Sequence, residues 1–340
     1  MVGYLNPKHL RLTLMPTENC NFRCTYCYED FEIGRMSEET ITAVKNMLLL
    51  RLPKLDSLHI AWFGGEPLLA KDIVLELNQF AKTEAEKLGV HFSSAMTTNA
   101  FSLLPELFDQ LVKQDIRHYQ ISLDGDEEQH NLTRKLISGR GSFAKIWANL
   151  LEMRNSSEKF TIALRVHVHR ENIASVKDLL RRINTEFGAD TRFVISLKAV
   201  WNGGGEGVKS LDLILRPADV IAELTAQLEA DGWFTSRTPA ATKPKFDPCY
   251  AAKPSAFVVR ANGTLAKCTV AFSDPRNAVG VLNPDGSMEL NRELMKVFMR
   301  GFADLNEKAL HCPMNGMPKL EHLQEAKIIK IHKKEELITA

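Results

Sequence analysis

The sequence is short of cysteine, with six in 340 residues. A secreted scaffold stapled by disulfides carries far more, so that class is excluded. An excess of charge is missing too, with 43 basic residues against 42 acidic ones. Bulk electrostatics supply no pull toward nucleic acid or an anionic membrane, and neither is expected as a partner. No apolar run approaches the ~20 residues that span a bilayer. The N-terminal MVGYLNPKHLRLTLMP lacks the apolar stretch of a signal peptide. A cytoplasmic location is therefore expected. What remains is 44% hydrophobic and 25% charged, the composition of an ordinary globular chain. Its length suits one large domain with a small one.

The first 200 residues alternate strand-like and helix-like segments. Strands are predicted at 10–15 (LRLTLM), 58–63, 92–97, 119–123, 161–168 and 193–199, and helices near 37–50, 70–88, 104–114, 142–154 and 172–187. Ser37 followed by Glu38 and Glu39 is a sound start for the first helix. Six βα repeats predict an α/β fold with a parallel sheet closed into a partial (β/α)6 TIM-like barrel; a flat doubly wound sheet is the alternative. The pattern breaks at WNGGGEGVKS (201–210), a loop by composition, before a helix at 216–230. Residues 232–248, rich in Pro and Thr, read as a linker. A small C-terminal α+β unit follows, with a hairpin at Asn262-Gly263. The expected boundaries are 1–230, 231–322 and a 323–340 tail.

The six cysteines fall into two sets. Cys20, Cys24 and Cys27 form a CxxxCxxC loop directly after the first strand. Three thiolates on one loop can cap three irons of a cubane and leave the fourth open to a small chelating ligand. Spacing alone leaves a thioredoxin-like pair or half a zinc site open. Position adds to it. Function in a parallel barrel gathers at the C-terminal ends of the strands, and three further strand ends carry Phe63-Gly64-Gly65-Glu66-Pro67, Thr97-Thr98-Asn99 and Ser122-Leu123-Asp124-Gly125. Gly64 and Gly65 permit close backbone approach, and Glu66 can accept from an ammonium group. Ser122 and Asp124 share a strand face, within reach of a ribose or carboxylate. Arg134 can pair with a carboxylate. The bland readings are a tight turn at Gly64-Gly65, a helix cap at Ser122 and Asp124, and a solvated charge at Arg134. Arg165, His167 and His169 alternate along one strand face; an interior and an exposed face are both open, and no catalytic residue is assigned.

The CxxxCxYC loop, GGEP, TTN and SLDGDEEQHNLTR together resemble the radical S-adenosylmethionine superfamily, in the branch with a C-terminal SPASM or Twitch extension that includes peptide maturases. The resemblance covers residues 10–320 and is closest over 15–145. It implies that Cys20, Cys24 and Cys27 hold a 4Fe–4S cluster whose open iron is chelated by S-adenosylmethionine. It places Tyr26 at adenine, Gly64, Gly65 and Glu66 at the methionine amino group, Ser122 and Arg134 at ribose and carboxylate, with Asn99 and Asp124 in the same pocket and Leu197 as an adenine contact. Cys249 and Cys268 flank the hairpin, with Gly263 five residues before Cys268, and Cys312 follows. This resembles the opening of a SPASM or Twitch unit and implies one auxiliary Fe–S cluster on Cys249, Cys268 and Cys312. The bland reading is three small buried hydrophobes. A full SPASM unit has more cysteines and two auxiliary clusters, which counts against a sulfatase-maturing activity.

The resemblance implies reductive cleavage of S-adenosylmethionine to a 5′-deoxyadenosyl radical. That radical would abstract hydrogen from a ribosomally made precursor peptide, leading to a crosslink, an epimerisation or a backbone excision. Maturases with their own leader-binding winged helix spend roughly 80–100 residues on it. Here about ten precede the first strand, so a separate leader-binding partner of the RRE type, or direct recognition by the barrel rim, is expected, with a flavodoxin- or ferredoxin-like electron donor. The alternatives are a radical dehydrogenase or sulfatase-maturing-like enzyme acting on another substrate, and a nonenzymatic Fe–S or zinc protein.

Overall fold

The computed structural model describes residues 2–203, 205–230, 247–320 and 328–331. Most of the predicted linker, and the tail apart from residues 328–331, lie outside them. The strands are β1 (His9–Leu14), β2 (Phe22–Cys24), β3 (Ser57–Trp62), β4 (His91–Thr98), β5 (Ile116–Leu123), β6 (Arg134–Leu136), β7 (Thr161–Val168), β8 (Phe193–Ala199), β9 (Ala256–Val259), β10 (Thr264–Ala266), β11 (Ala278–Leu282), β12 (Met288–Asn291) and β13 (Ile328–Ile331). The helices are α1 (Glu38–Arg51), α2 (Lys71–Lys87), α3 (Pro105–Lys113), α4 (Glu127–Thr133), α5 (Phe143–Asn155), α6 (Ile173–Phe187), α7 (Pro217–Ala230), α8 (Arg292–Met299) and α9 (Glu307–His311). The chain divides into two compact units: Met1–Asn19 with Phe31–Ser94 and Lys243–Ala340, and Cys20–Asp30 with Ala95–Thr242.

In the first unit β1 pairs in parallel with β3 and, on its other edge, with β9. The C-terminal segment therefore continues the sheet. From β9 onward the pairing turns antiparallel, through β10, β11, β12 and β13. The hairpin expected at Asn262-Gly263 joins β9 to β10. Gly263 has φ +82, a left-handed conformation that glycine adopts without steric cost. Leu10, Leu12, Leu14, Leu58, Ile60 and Trp62 alternate inward and are buried. Ser37 caps α1, its hydroxyl accepting from the Thr40 amide.

In the second unit β5, β7 and β8 pair in parallel. Val176, Leu179, Leu180, Ile183 and Phe187 recur at helical spacing and bury one face of α6. Phe187 stacks on Phe193 with ring centroids 4.4 Å apart, and Trp147 stands edge-on to Phe187. Each such buried ring or Leu contributes roughly 1.5–3 kcal/mol. A two-stranded ribbon pairs β2 with β6, setting Cys24 opposite Arg134.

Candidate active site

The three N-terminal cysteines are partly exposed thiols, in no disulfide, on one short loop. Its fold follows from bonds made within the second unit. The Thr25 amide donates to the Thr133 carbonyl at 2.9 Å, and the Cys27 amide closes a turn onto the Cys24 carbonyl at 3.1 Å. Asn99, at the end of β4, donates through Nδ2 to Asn21 Oδ1 at 2.8 Å and accepts from the Phe101 amide. Burial pushes the Cys24 thiol up, against the pull of Arg134. It pushes the Cys27 thiol up to about 11.

Tyr26 lies between these cysteines, and its hydroxyl enters a buried polar network. It donates to Asp124 Oδ1 at 2.8 Å and accepts from the Arg134 guanidinium at 2.9 Å. His167 Nδ1 donates to the same Asp124 oxygen at 3.1 Å, while its Nε2 accepts from Arg165 Nε at 3.1 Å. Thr133 donates to Asp124 Oδ2 at 2.6 Å. Burial raises the Asp124 carboxyl. The His167 hydrogen bond and the Arg134 charge outweigh that and hold it well below the usual carboxylate range. His130 accepts from the Asp124 amide and donates to Ser142; burial pushes it down to about 3, so it is neutral. Burial works against the charge on Arg134, but Tyr26, Cys24 and Asp124 keep it protonated. Its Nε is buried and has no hydrogen-bond partner. Both ring nitrogens of His169, at the end of β7, share that condition, with Glu171 3.8 Å from Nδ1.

In the first unit, Gly64 and Gly65 pack against the protein's own backbone. A Cβ on Gly64 would meet the Thr17 carbonyl oxygen at 2.2 Å; one on Gly65 would lie 2.5 Å from the carbonyl oxygens of Glu18 and Asn19. These residues lead into Cys20. Glu66 is buried, accepts from the Leu68 amide and donates its own amide to the Asn19 carbonyl. Glu18 is fully buried against Arg260, at 2.5 to 3.2 Å.

Also in the first unit, Cys249, Cys268 and Cys312 come within electrostatic reach of one another. Burial pushes the Cys249 and Cys268 thiols up; the neighbouring thiols add to both. The Cys249 amide bonds to the Leu310 carbonyl at 2.9 Å, and Asn277 clasps both the amide and the carbonyl of Cys268. Lys267, fully buried, donates to the Lys253 and Ala256 carbonyls.

The strand ends thus hold Asn99, Asp124 and Arg134 in one connected arrangement with the cysteine loop. Ser122 and Leu197 lie on β5 and β8, buried and half-buried. Sequence reasoning missed the Tyr26 hydroxyl, Thr133 and His130, and it left His167 unassigned. The signal for His167 was present: a polar trio on one strand face needs internal partners if it is buried. Among the described residues, no three His, Cys, Asp or Glu side chains are close enough to share one metal ion. A cubane does not need that, because it spreads three thiolates over three irons. The fit to the expected cofactors rests instead on the three-thiol loop and on a buried cation, Arg134, with a donor left to offer an anion.

A family model described as the radical SAM superfamily matches residues 14–183. The chain belongs to the radical SAM superfamily. A 4Fe–4S cluster and S-adenosylmethionine are that superfamily's cofactors. PqqA peptide cyclase of Bradyrhizobium diazoefficiens is 27% identical over 174 residues, covering 51% of this chain and 42% of that protein. GTP 3′,8-cyclase of Microcystis aeruginosa is 33% identical over 153 residues, covering 42% of each. The chain thus spans less than half the length of these curated relatives. Among solved structures, anSMEcpe with bound AdoMet and Kp18Cys peptide superposes with a TM-score of 0.64 at 19% identity, over 81% of this chain and 78% of that one. Streptococcus suis SuiB bound to its precursor peptide SuiA gives 0.54 at 14% identity, over 80% and 62%. These likenesses show the fold and bear out the α/β partial barrel expected from the sequence. Among the described residues, no helix is long and apolar enough to cross a membrane.

Proposed function

We propose that this protein is a radical enzyme that modifies a ribosomally made precursor peptide. The observation that carries the cofactor site is the buried Arg134 guanidinium, held in the Tyr26–Asp124 network opposite Cys24, with its Nε unpaired. When bound, the cluster would supply one electron to S-adenosylmethionine, and the chemistry provided is reductive cleavage of the sulfonium followed by hydrogen abstraction from a substrate carbon. Cys20, Cys24 and Cys27 would hold the cluster. Arg134 and Ser122 would bind the cofactor's carboxylate and ribose, Gly64, Gly65 and Glu66 its amino group, and Tyr26 and Leu197 its adenine. Asn99, bonded to Asn21, fixes the loop between Cys20 and Cys24. Asp124 acts behind the pocket, holding Tyr26 and keeping Arg134 charged. Cys249, Cys268 and Cys312 would carry one auxiliary Fe–S cluster within a Twitch-like extension, with the chain parsed at 1–230, 231–322 and 323–340.

The peptide substrate is supported by two kinds of similarity: to PqqA peptide cyclases in sequence and to peptide-bound anSMEcpe and SuiB in fold. A separate leader-binding protein, a flavodoxin- or ferredoxin-like donor and a cytoplasmic setting complete this reading. The similarity to GTP 3′,8-cyclases favours a second one, a radical enzyme acting on a small molecule. The test is anaerobic reconstitution with iron, sulfide and 5′-deoxyadenosine measured after dithionite, with and without candidate peptide, beside a Cys20/Cys24/Cys27→Ala triple variant. About eight irons per chain, falling to about four in the variant with loss of 5′-deoxyadenosine, support both cluster sites. Cofactor cleavage that no peptide stimulates sinks the peptide substrate. No iron and no cleavage sink the reading whole.

A further inference from the structure

The strand β8 leads into Trp201-Asn202-Gly203-Gly204-Gly205-Glu206-Gly207, and the 3-10 turn Glu206–Ser210 follows. Within the second unit Gly203, Gly205 and Gly207 lie directly on the cysteine loop. A Cβ on Gly205 would sit 1.9 Å from the Cys27 carbonyl oxygen, and one on Gly207 would sit 2.2 Å from the Thr25 carbonyl oxygen. A Cβ on Gly203 would lie 3.2 Å from the Tyr28 ring. Gly205 has φ −70, a value open to any residue. Room, and not backbone conformation, demands glycine there. The neighbouring Val208 is buried and anchors the turn. The Thr25 and Cys27 amides are spent on the Thr133 and Cys24 carbonyls. The carbonyls of the same two residues take the contact from the glycine backbone.

We propose that Gly205 and Gly207 are positioning residues for the cysteine loop: their backbone braces the carbonyls of Thr25 and Cys27, so that residues 202–210 and the cluster loop order together. A run of glycines loses much chain entropy on ordering. A firm surface to lie on lowers that cost, and a loaded cluster, by stiffening its loop, makes the surface firmer. The coupling half of this inference rests on the assignment of Cys20, Cys24 and Cys27 to the cluster; the steric half does not.

The experiment is hydrogen–deuterium exchange of residues 20–30 and 202–210, in protein without the cluster and after anaerobic reconstitution, for the wild type, Gly205→Ala, Gly207→Ala and a Lys145→Ala control. Lys145 is exposed on α5. Near-ultraviolet circular dichroism checks that each variant folds. In cluster-free protein, Gly205→Ala and Gly207→Ala are expected to speed exchange across residues 20–30 by roughly tenfold or more, and Lys145→Ala to leave it unchanged. Unchanged exchange in both loop variants overturns the bracing. On reconstitution of the wild type, both segments should gain protection together. Protection of 20–30 with none at 202–210 overturns the coupling. Both loop variants should retain severalfold less iron after desalting and show an altered electron paramagnetic resonance line for the reduced cluster; full iron and an unchanged line refute the positioning role. A wild type that takes up no iron refutes the cysteine assignment and the coupling with it, while the cluster-free comparison still decides the bracing.

Discussion

Replacing Asp124 by asparagine tests the claim that this carboxylate supports the site. The substitution keeps size and shape and removes the charge. Three donors now converge on the carboxylate: the Tyr26 hydroxyl at 2.8 Å, His167 Nδ1 at 3.1 Å and the Thr133 hydroxyl at 2.6 Å. An amide offers one oxygen and turns an NH2 toward at least one of those donors. Arg134, 7% exposed, also loses the carboxylate that helps keep it charged. Removing one partner of a buried charged pair costs about 3–5 kcal/mol. Thr133→Val removes a single bond to the same carboxylate and should cost less, about 1.5–3 kcal/mol. Urea unfolding of anaerobic, cluster-free protein measures both without metal binding in the balance. The folded Asp124 pKa is depressed, so its contribution is fully present above the unfolded value near 3.9 and is lost as pH falls through the folded value. The gap between wild type and Asp124→Asn should therefore stay constant from pH 5 to 8 and narrow only in acid. An Asp124→Asn protein within about 0.5 kcal/mol of wild type at pH 7, or one no worse than Thr133→Val, refutes the network argument.

Three further outcomes are expected. Glu18→Ala should destabilise by about 3–5 kcal/mol, because Arg260 is left in the protein without its carboxylate; a Glu18→Ala/Arg260→Met double variant should recover much of that in the same unfolding assay. Burial pushes Lys267 down to about 7, so its destabilising contribution is complete below pH 7 and fades toward the unfolded value near 10.4; wild type should gain stability over that window at up to about 1.4 kcal/mol per pH unit relative to Lys267→Met, and parallel curves from pH 7 to 10 would refute the assignment. Glu66→Gln keeps an oxygen for the Leu68 amide. Calorimetry should show S-adenosylmethionine binding weakened about tenfold with iron content unchanged, and equal affinity would remove Glu66 from the amino-group site.

The six barrel strands and the helices between them were legible because period-2 and period-3.6 apolar patterns run for six residues or more. Observed β1 at His9–Leu14 against a predicted 10–15, and α6 at Ile173–Phe187 against 172–187, differ only at their ends. The ribbon of β2 and β6 was not legible, since three residues on each side carry no period. Neither was α4: Asp126 caps it through the Gln129 amide, but the same DGDEEQHN had already been read as a ligand motif. The C-terminal hairpin was found through its Asn-Gly turn. That β9 would pair with β1 was not, because a parallel partner 245 positions away leaves no local trace.

The site divides along the same line. The cysteines announce themselves by spacing, whereas the residues that hold them bond across separations of 98, 108 and 141 positions. Asp124 and Ser122 were paired as ligand contacts because they share a strand face. The structure separates the candidates by hydrogen-bonding capacity. Asp124 spends both oxygens inward, on Tyr26, His167 and Thr133. Arg134, reached through the same network, keeps Nε unpaired although buried. A buried donor without an acceptor costs about 1–3 kcal/mol, more when charged, and an anionic ligand would return that energy on binding. On the proposed reading, Arg134 would meet the ligand and Asp124 would support it. The two should then fail differently: a charge-removing change at Arg134 should act first on cofactor affinity, and one at Asp124 first on the stability of the loop.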